Sequence, residues 1–156
     1  MKIKLFFTAL LISVLFNTFY SQTWTVYHYP ASFRDIDIDT ANNVWTACEF
    51  GLYKYDGSTW SIYNLGNSPL NPLCYSQAYS VFVDNHSNIW TGFVEGYLIK
   101  FDGVSTWSND VDLGDGDVRA INQDQYGNIW VGGPSMPIRM FDGVIWKYPN
   151  NSISGA

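Results

Sequence analysis

Few residues of this 156-residue chain are spaced for catalysis. Nucleophilic chemistry needs a nucleophile beside an oriented base. The two histidines are His28 and His86, and neither has a Glu or His neighbour at metal-ligand spacing. His86 sits in the turn-like stretch Asp84-Asn-His-Ser-Asn88, and both histidines read as surface or turn residues. Two sets of aspartates recur: Asp39, Asp84 and Asp124, then Asp56, Asp102 and Asp142. A carboxylate that returns in every unit serves the fold before it serves a reaction. One acidic run breaks the recurrence, with Asp110, Asp112, Asp115 and Asp117 inside eight residues. Hard cations such as Ca²⁺ take such oxygen clusters. The spacing is not that of an EF-hand, and Gly114 and Gly116 suit a plain loop. No cofactor is therefore expected, with Ca²⁺ at Asp110–Asp117 as the lesser reading.

Recognition chemistry has better candidates. Arg34, Tyr79 and Arg119 each stand five residues before a recurring Asp. Glu49 and Glu95 fall at similar places in two units, and Tyr75 lies in the long connection over residues 64–78. Aromatics beside carboxylates and arginines suit a small-molecule, glycan or protein ligand. The competing reading is that these side chains seal junctions between packed elements.

The elements that must carry these residues repeat. Arg34-Asp-Ile-Asp-Ile-Asp39-Thr-Ala-Asn-Asn-Val-Trp45 aligns with Tyr79-Ser-Val-Phe-Val-Asp84-Asn-His-Ser-Asn-Ile-Trp90. Both align with Arg119-Ala-Ile-Asn-Gln-Asp124-Gln-Tyr-Gly-Asn-Ile-Trp130, and Asp and Trp are six apart each time. Each segment runs on to an aromatic-Asp-Gly (Tyr55-Asp56-Gly57, Phe101-Asp102-Gly103, Phe141-Asp142-Gly143) and then to Trp60, Trp107 or Trp146. The seventh tryptophan, Trp24, opens Trp24-Thr-Val-Tyr27, which matches Trp60-Ser-Ile-Tyr63.

Each unit reads as four short strands with two-residue alternation. The first precedes the recurring Asp (Ile36 to Ile38, Val81 to Val83). The second carries the first Trp. The third ends at the aromatic before Asp-Gly, and the fourth carries the second Trp. The first connection begins with an Asp that can bond turn N–H groups. Asp-Gly is a strong hairpin signal between the third and fourth strands. Four-stranded units of 40 to 45 residues are β-propeller blades. The paired tryptophans should fill the wedge between neighbouring blades.

Asp124-x-x-Gly-Asn-Ile-Trp-Val-Gly132, followed by Phe-Asp-Gly143 and Trp146-x-Tyr148, resembles the two-component-regulator propeller repeat. The resemblance covers about Trp24 to Tyr148. The first unit departs from it at Asn42 and Ala47, and the third has Pro137-Ile138 where Gly-Leu is usual. It implies a ligand-sensing ectodomain of a membrane histidine kinase, some of which detect polysaccharide fragments, or a secreted adhesion or scaffold protein. The virginiamycin B lyase type of propeller is also similar, but its chemistry implies a metal-supported base that no histidine here matches. The expectation is a non-enzymatic binding or sensing module, with a lyase or hydrolase propeller as the alternative.

Composition fits this reading. The chain is 47% hydrophobic and 18% aromatic, with only 14% charged residues. A formal net charge of −6 without a basic cluster argues against nucleic acid as a partner. Met1–Lys4 is a basic start, Leu5–Phe16 an apolar run of 12 residues, and a polar exit follows. That run is short of the ~20 residues of a membrane helix. Residues 1–21 therefore read as a secretory signal peptide, giving a secreted or periplasmic product with no membrane attachment after cleavage. Loss of Lys2 and Lys4 leaves six basic against fourteen acidic residues, a net −8. Cys48 and Cys74 fit a disulfide or two buried thiols equally.

Residues 22–156 then form an all-β propeller segment. It has blades at about 33–64, 79–110 and 118–149, plus an orphan outer strand at Trp24. Three blades do not close a ring, for which ~4–8 are typical. The economical expectation is a piece of a longer propeller whose missing blades lie in the same chain. The alternative puts them in another chain, as in a homo-oligomer.

Overall fold

The structure is a computed structural model. It describes residues 25–26, 31–63, 77–114 and 116–149, leaving aside the side chains of 109–112. Twelve strands form three four-stranded antiparallel sheets. The first holds β1 (Phe33–Ile38), β2 (Val44–Cys48), β3 (Gly51–Tyr55) and β4 (Trp60–Tyr63). The second holds β5 (Ala78–Val83), β6 (Ile89–Phe93), β7 (Tyr97–Phe101) and β8 (Trp107–Asp112). The third holds β9 (Ala120–Gln123), β10 (Ile129–Gly133), β11 (Met136–Phe141) and β12 (Trp146–Lys147). Each sheet is an up-and-down meander in chain order. The one helical feature among the described residues is a 3₁₀ turn at Val94–Gly96. The fold is a β-propeller segment of three blades.

Period-two alternation gives every blade two faces. The leading face of the second blade carries Val81, Ile89, Ile99 and Phe101. It packs on Trp45, Ala47 and Leu52 of the first blade's trailing face. The next junction repeats the arrangement. Trp90 and Leu98 of the second blade meet Ile129 and Val131 of the third, with Phe82, Ile121, Phe141 and Trp146 at its margin. The first tryptophan of a blade is thus buried in the following junction, Trp45 at 0% exposure and Trp90 at 2%. The second tryptophan lies on the aromatic that ends the third strand of its own blade. Trp107 stacks on Phe101 with ring centres 3.9 Å apart and planes 13° from parallel. Trp60–Tyr55 and Trp146–Phe141 repeat the pair at 5.0 and 5.1 Å.

Inner strands are tied directly. Asp35 and Asp37 of β1 accept the backbone N–H groups of Val81 and Val83 in β5, at 2.9 and 2.7 Å. Across the second junction, the Ser80 hydroxyl donates to the Val118 carbonyl, and the Val118 N–H donates to that of Phe93.

The hairpins expected at Asp-Gly are present, with loops longer than those two residues, and two other expectations need correction. Tyr55 pairs with Trp60, so four residues lie between them, and Phe101 pairs with Trp107 across five. The loop lengthens because Asp56 Oδ1 captures the N–H groups of both Ser58 and Thr59. The acidic run is not wholly a loop, since Asp110 and Asp112 belong to β8. The last strand stops at Lys147, before Tyr148. Several other expectations lie outside the described residues: the signal segment 1–21, Trp24 and Tyr27 of the orphan strand, His28, Cys74, Tyr75 and Asp115. Cys48 is a buried thiol whose pKa is pushed up by burial.

Candidate functional site

The recurring carboxylates are occupied by the fold. Asp84 Oδ1 accepts the N–H groups of His86 and Asn88, while Oδ2 accepts Asn88 Nδ2 and Trp90 Nε1, all at 2.8–2.9 Å. Asp39 does the same with Ala41, Asn43 and Trp45. Asp124 does it with Tyr126, Asn128 and Trp130. The six-residue spacing of Asp and Trp is thus one carboxylate clamping a turn and the next strand's indole. Positive φ at Asn42, Ser87 and Gly127 closes that turn. Bonds from Trp130 and Asn128 hold the Asp124 carboxyl at about 2. Burial works to raise the pKa of Asp39 and Asp84, yet their hydrogen bonds outweigh it and both are lowered. Asp56, Asp102 and Asp142 are lowered by backbone N–H groups of their own loops. Carboxylates saturated in this way have no free base to offer a substrate.

Antiparallel pairing puts all these aspartate turns at one end of the blades. The opposite end is set by Phe33 facing Cys48 and Ala78 facing Phe93. There the inner strands begin, and there Arg34, Tyr79 and Arg119 meet. The Arg34 guanidinium lies 4.3 Å from the Tyr79 ring centre, and the Arg119 guanidinium lies at the same distance. The two arginines come from the blades on either side of Tyr79, so two guanidiniums converge on one ring. Arg34 also donates to the Ala78 carbonyl at 3.2 Å and to Gln77 Oε1 at 3.3 Å. Arg119 makes a two-pronged pair with Asp117 Oδ2 at 2.8 and 3.2 Å, which raises its pKa further.

This stack changes what Tyr79 can do. A sugar needs an open aromatic face, and two guanidiniums compete for that of Tyr79. The groups left to a ligand are guanidinium edges, which suit carboxylate or sulfate oxygens. Sequence reasoning found the three stacked residues, and it placed Gln77 in the 64–78 connection and Asp117 in the acidic run, but not their bonds to the two arginines. Their signal was two-residue spacing from Tyr79 and Arg119, which puts side chains on one side of an extended chain.

Glu49 and Glu95 occupy turns between second and third strands at the same end, one strand further from the axis. Glu49 is half-buried. Glu95 is exposed on the 3₁₀ turn with φ 57°. Among the described residues neither forms an ion pair with the stack. Tyr75 lies outside the described residues. Of the acidic run, Asp117 is committed to Arg119, and the other three carboxylates fall outside what the structure describes. No group of three or more His, Cys, Asp or Glu suited to a metal occurs among the described residues.

Hollows flank the blades among the described residues. One of about 530 Å³ is the leading face of the first blade, lined by Phe33, Ile36, Val44 and Trp60. It is an uncovered packing face rather than a ligand cavity. A groove of about 360 Å³ between the second and third blades reaches Asp84, His86, Lys100 and Gln123 at the scaffold end.

No protein-family model and no curated protein matches the chain. Solved structures do. The chain is similar to the extracellular domain assigned to hybrid two-component system BT3049 of B. thetaiotaomicron. The TM-score is 0.65 at 20% identity, over 78% of this chain and 18% of that one. A second such domain, assigned to BT4673 of the same organism, aligns at TM-score 0.44 and 12% identity, over 81% of this chain and 23% of that one. The chain thus spans under a quarter of the length of the structures it matches. The first similarity bears on the fold, which it shares.

Proposed function

We propose that the chain is an extracytoplasmic, non-catalytic binding segment of a sensor-type propeller. Its ligand is an anionic molecule, a carboxylated or sulfated oligosaccharide, held at the end where Arg34, Tyr79 and Arg119 converge. One observation carries the reading: a tyrosine clamped between two guanidiniums, contributed by three successive blades at one repeat position. Repetition of a position usually repeats its residue. Here the scaffold positions repeat and this one alternates Arg, Tyr, Arg. The arginines are presented where the inner strands begin, Arg34 within β1 and Arg119 just before β9, at the end away from the aspartate turns. The basic start of the sequence and the extracellular domains it resembles support a place outside the cytoplasm.

Isothermal titration with a hexameric oligogalacturonate tests this. Saturable binding is expected, weakened about tenfold or more by Arg34→Ala or Arg119→Ala, since a charge-assisted hydrogen bond is worth about 1.5–3 kcal/mol. The uncharged maltohexaose should not bind. Equal binding of both sugars, or indifference to both substitutions, refutes the reading.

A further inference from the structure

We propose, on the reading of Arg34, Tyr79 and Arg119 as an anion site, that the site takes an unsulfated uronic acid unit. Arg34 holds its carboxylate, and the Asp117–Arg119 pair holds its neighbouring hydroxyls. Asp117 then determines specificity.

The two arginines are not equivalent. Residues 32, 77 and 117 stand two before the stacked position of their blades, as Ala, Gln and Asp. Gln77 Oε1 lies 3.3 Å from Arg34 Nη2 and 3.5 Å from the Tyr79 hydroxyl. The Ala78 carbonyl takes Arg34 Nη1. Both partners are neutral, and Arg34 forms no ion pair among the described residues. Its charge is uncompensated, and three of its five N–H groups remain for a planar anion.

Arg119 gives Nε and Nη2 to one oxygen, Asp117 Oδ2, at 3.2 and 2.8 Å. Its charge is met before any ligand arrives. Asp117 Oδ1 accepts no hydrogen bond among the described residues, and the Asp117 side chain is 25% exposed. The pair therefore presents a donor and an acceptor side by side. A second carboxylate brought here meets Asp117 as a like charge. A hydroxyl both donates and accepts, so it satisfies the two groups together. A sulfate ester on that hydroxyl removes the donor and adds a negative charge, which excludes it.

Backbone bonds hold Asp117 in place. Val118 N–H donates to the Phe93 carbonyl and Arg119 N–H to that of Gly132, each at 3.0 Å. A Cβ at Gly133 would run into the Asp117 carbonyl, so the chain lies directly against the β10 backbone there. Both guanidiniums are 4.3 Å from the Tyr79 ring centre, within the length of a disaccharide.

Isothermal titration with two ligands of equal charge separates hydroxyl recognition from charge. Hexagalacturonate carries carboxylates and hydroxyls, and hexaglutamate carries carboxylates alone. The chain should prefer hexagalacturonate. Asp117→Ala should weaken hexagalacturonate about tenfold, the effect of losing a hydrogen bond to a charged group. It should tighten hexaglutamate by up to about fivefold, the span of an exposed charge pair. Asp117→Asn keeps an acceptor without the charge, and should restore part of the hexagalacturonate affinity. Far-UV circular dichroism checks that each variant is folded. Movement of both ligands in the same direction overturns the proposal, since Asp117 would then act only on Arg119 or on net charge. So does indifference of both ligands to Asp117→Ala, or a preference for hexaglutamate. Those outcomes leave the anion site standing. A chain that binds neither ligand removes the anion site and this proposal together.

Discussion

Asp84 and Asp124 hold the same set of donors in different surroundings. Asp84 and Trp90 are buried between two blades, whereas Trp130 lies on an open face. Asp84→Ala strands the Trp90 indole N–H and the Asn88 amide in a dry junction, at about 1–3 kcal/mol for each orphaned donor. Asp124→Ala leaves its donors within reach of water. Urea unfolding should show a loss of about 3 kcal/mol or more for Asp84→Ala and a clearly smaller drop in midpoint for Asp124→Ala. The Thr91 hydroxyl behaves in the opposite sense. It is buried without a hydrogen-bond partner among the described residues, and the third blade carries Val131 in its place. Thr91→Val removes an unsatisfied group and keeps the shape. It should raise the urea midpoint, by about 1 kcal/mol in stability.

At the scale of the blade, spacing is legible in sequence wherever one side chain does two jobs. Asp39, Asp84 and Asp124 each clamp a turn and an indole, so chemistry fixes the distance to Trp and the repeat can be read without coordinates. Asp-Gly marks the hairpin at Asp56 but not its loop length, because it fits two turn geometries. Only the capture of Ser58 and Thr59 selects the longer one. The equivalence of Arg34, Tyr79 and Arg119 was visible, but not the clamping of Tyr79, which needs three blades in place. Junction spacing was likewise hidden, because it depends on how closely two sheets approach. Gly92 reports that approach. Gly92→Ala pushes a Cβ against both Ser80 Oγ and the Val118 carbonyl, which themselves share a hydrogen bond. The blades must then part or a buried bond must break. A loss of about 1–3 kcal/mol is expected in thermal unfolding, with the Ser80→Ala background losing less because one obstacle is gone.

Across the whole molecule the aspartate turns make one pH-dependent unit. Asp39, Asp56, Asp84, Asp102, Asp124 and Asp142 all bind a proton less readily when folded than the 3.8 of a free side chain, Asp102 and Asp124 titrating at about 2. A depressed folded pKa means the unfolded chain takes up protons first as acid is added. The stabilisation is therefore complete above about pH 5, begins to fall near pH 4, and is lost as pH drops through about 2. Loss of the net negative charge works the other way, since self-repulsion weakens as carboxylates protonate. The two contributions separate by location. Repulsion is spread over the whole surface and is screened by salt. The turn bonds are local, and the Asp39 and Asp84 clamps include buried indoles. Urea midpoints at pH 7, 4, 3 and 2, each at low and at about 0.5 M salt, should fall steeply below pH 4 at both ionic strengths. A midpoint that rises on acidification would mean that repulsion, not the aspartate clamps, governs how the blades hold together.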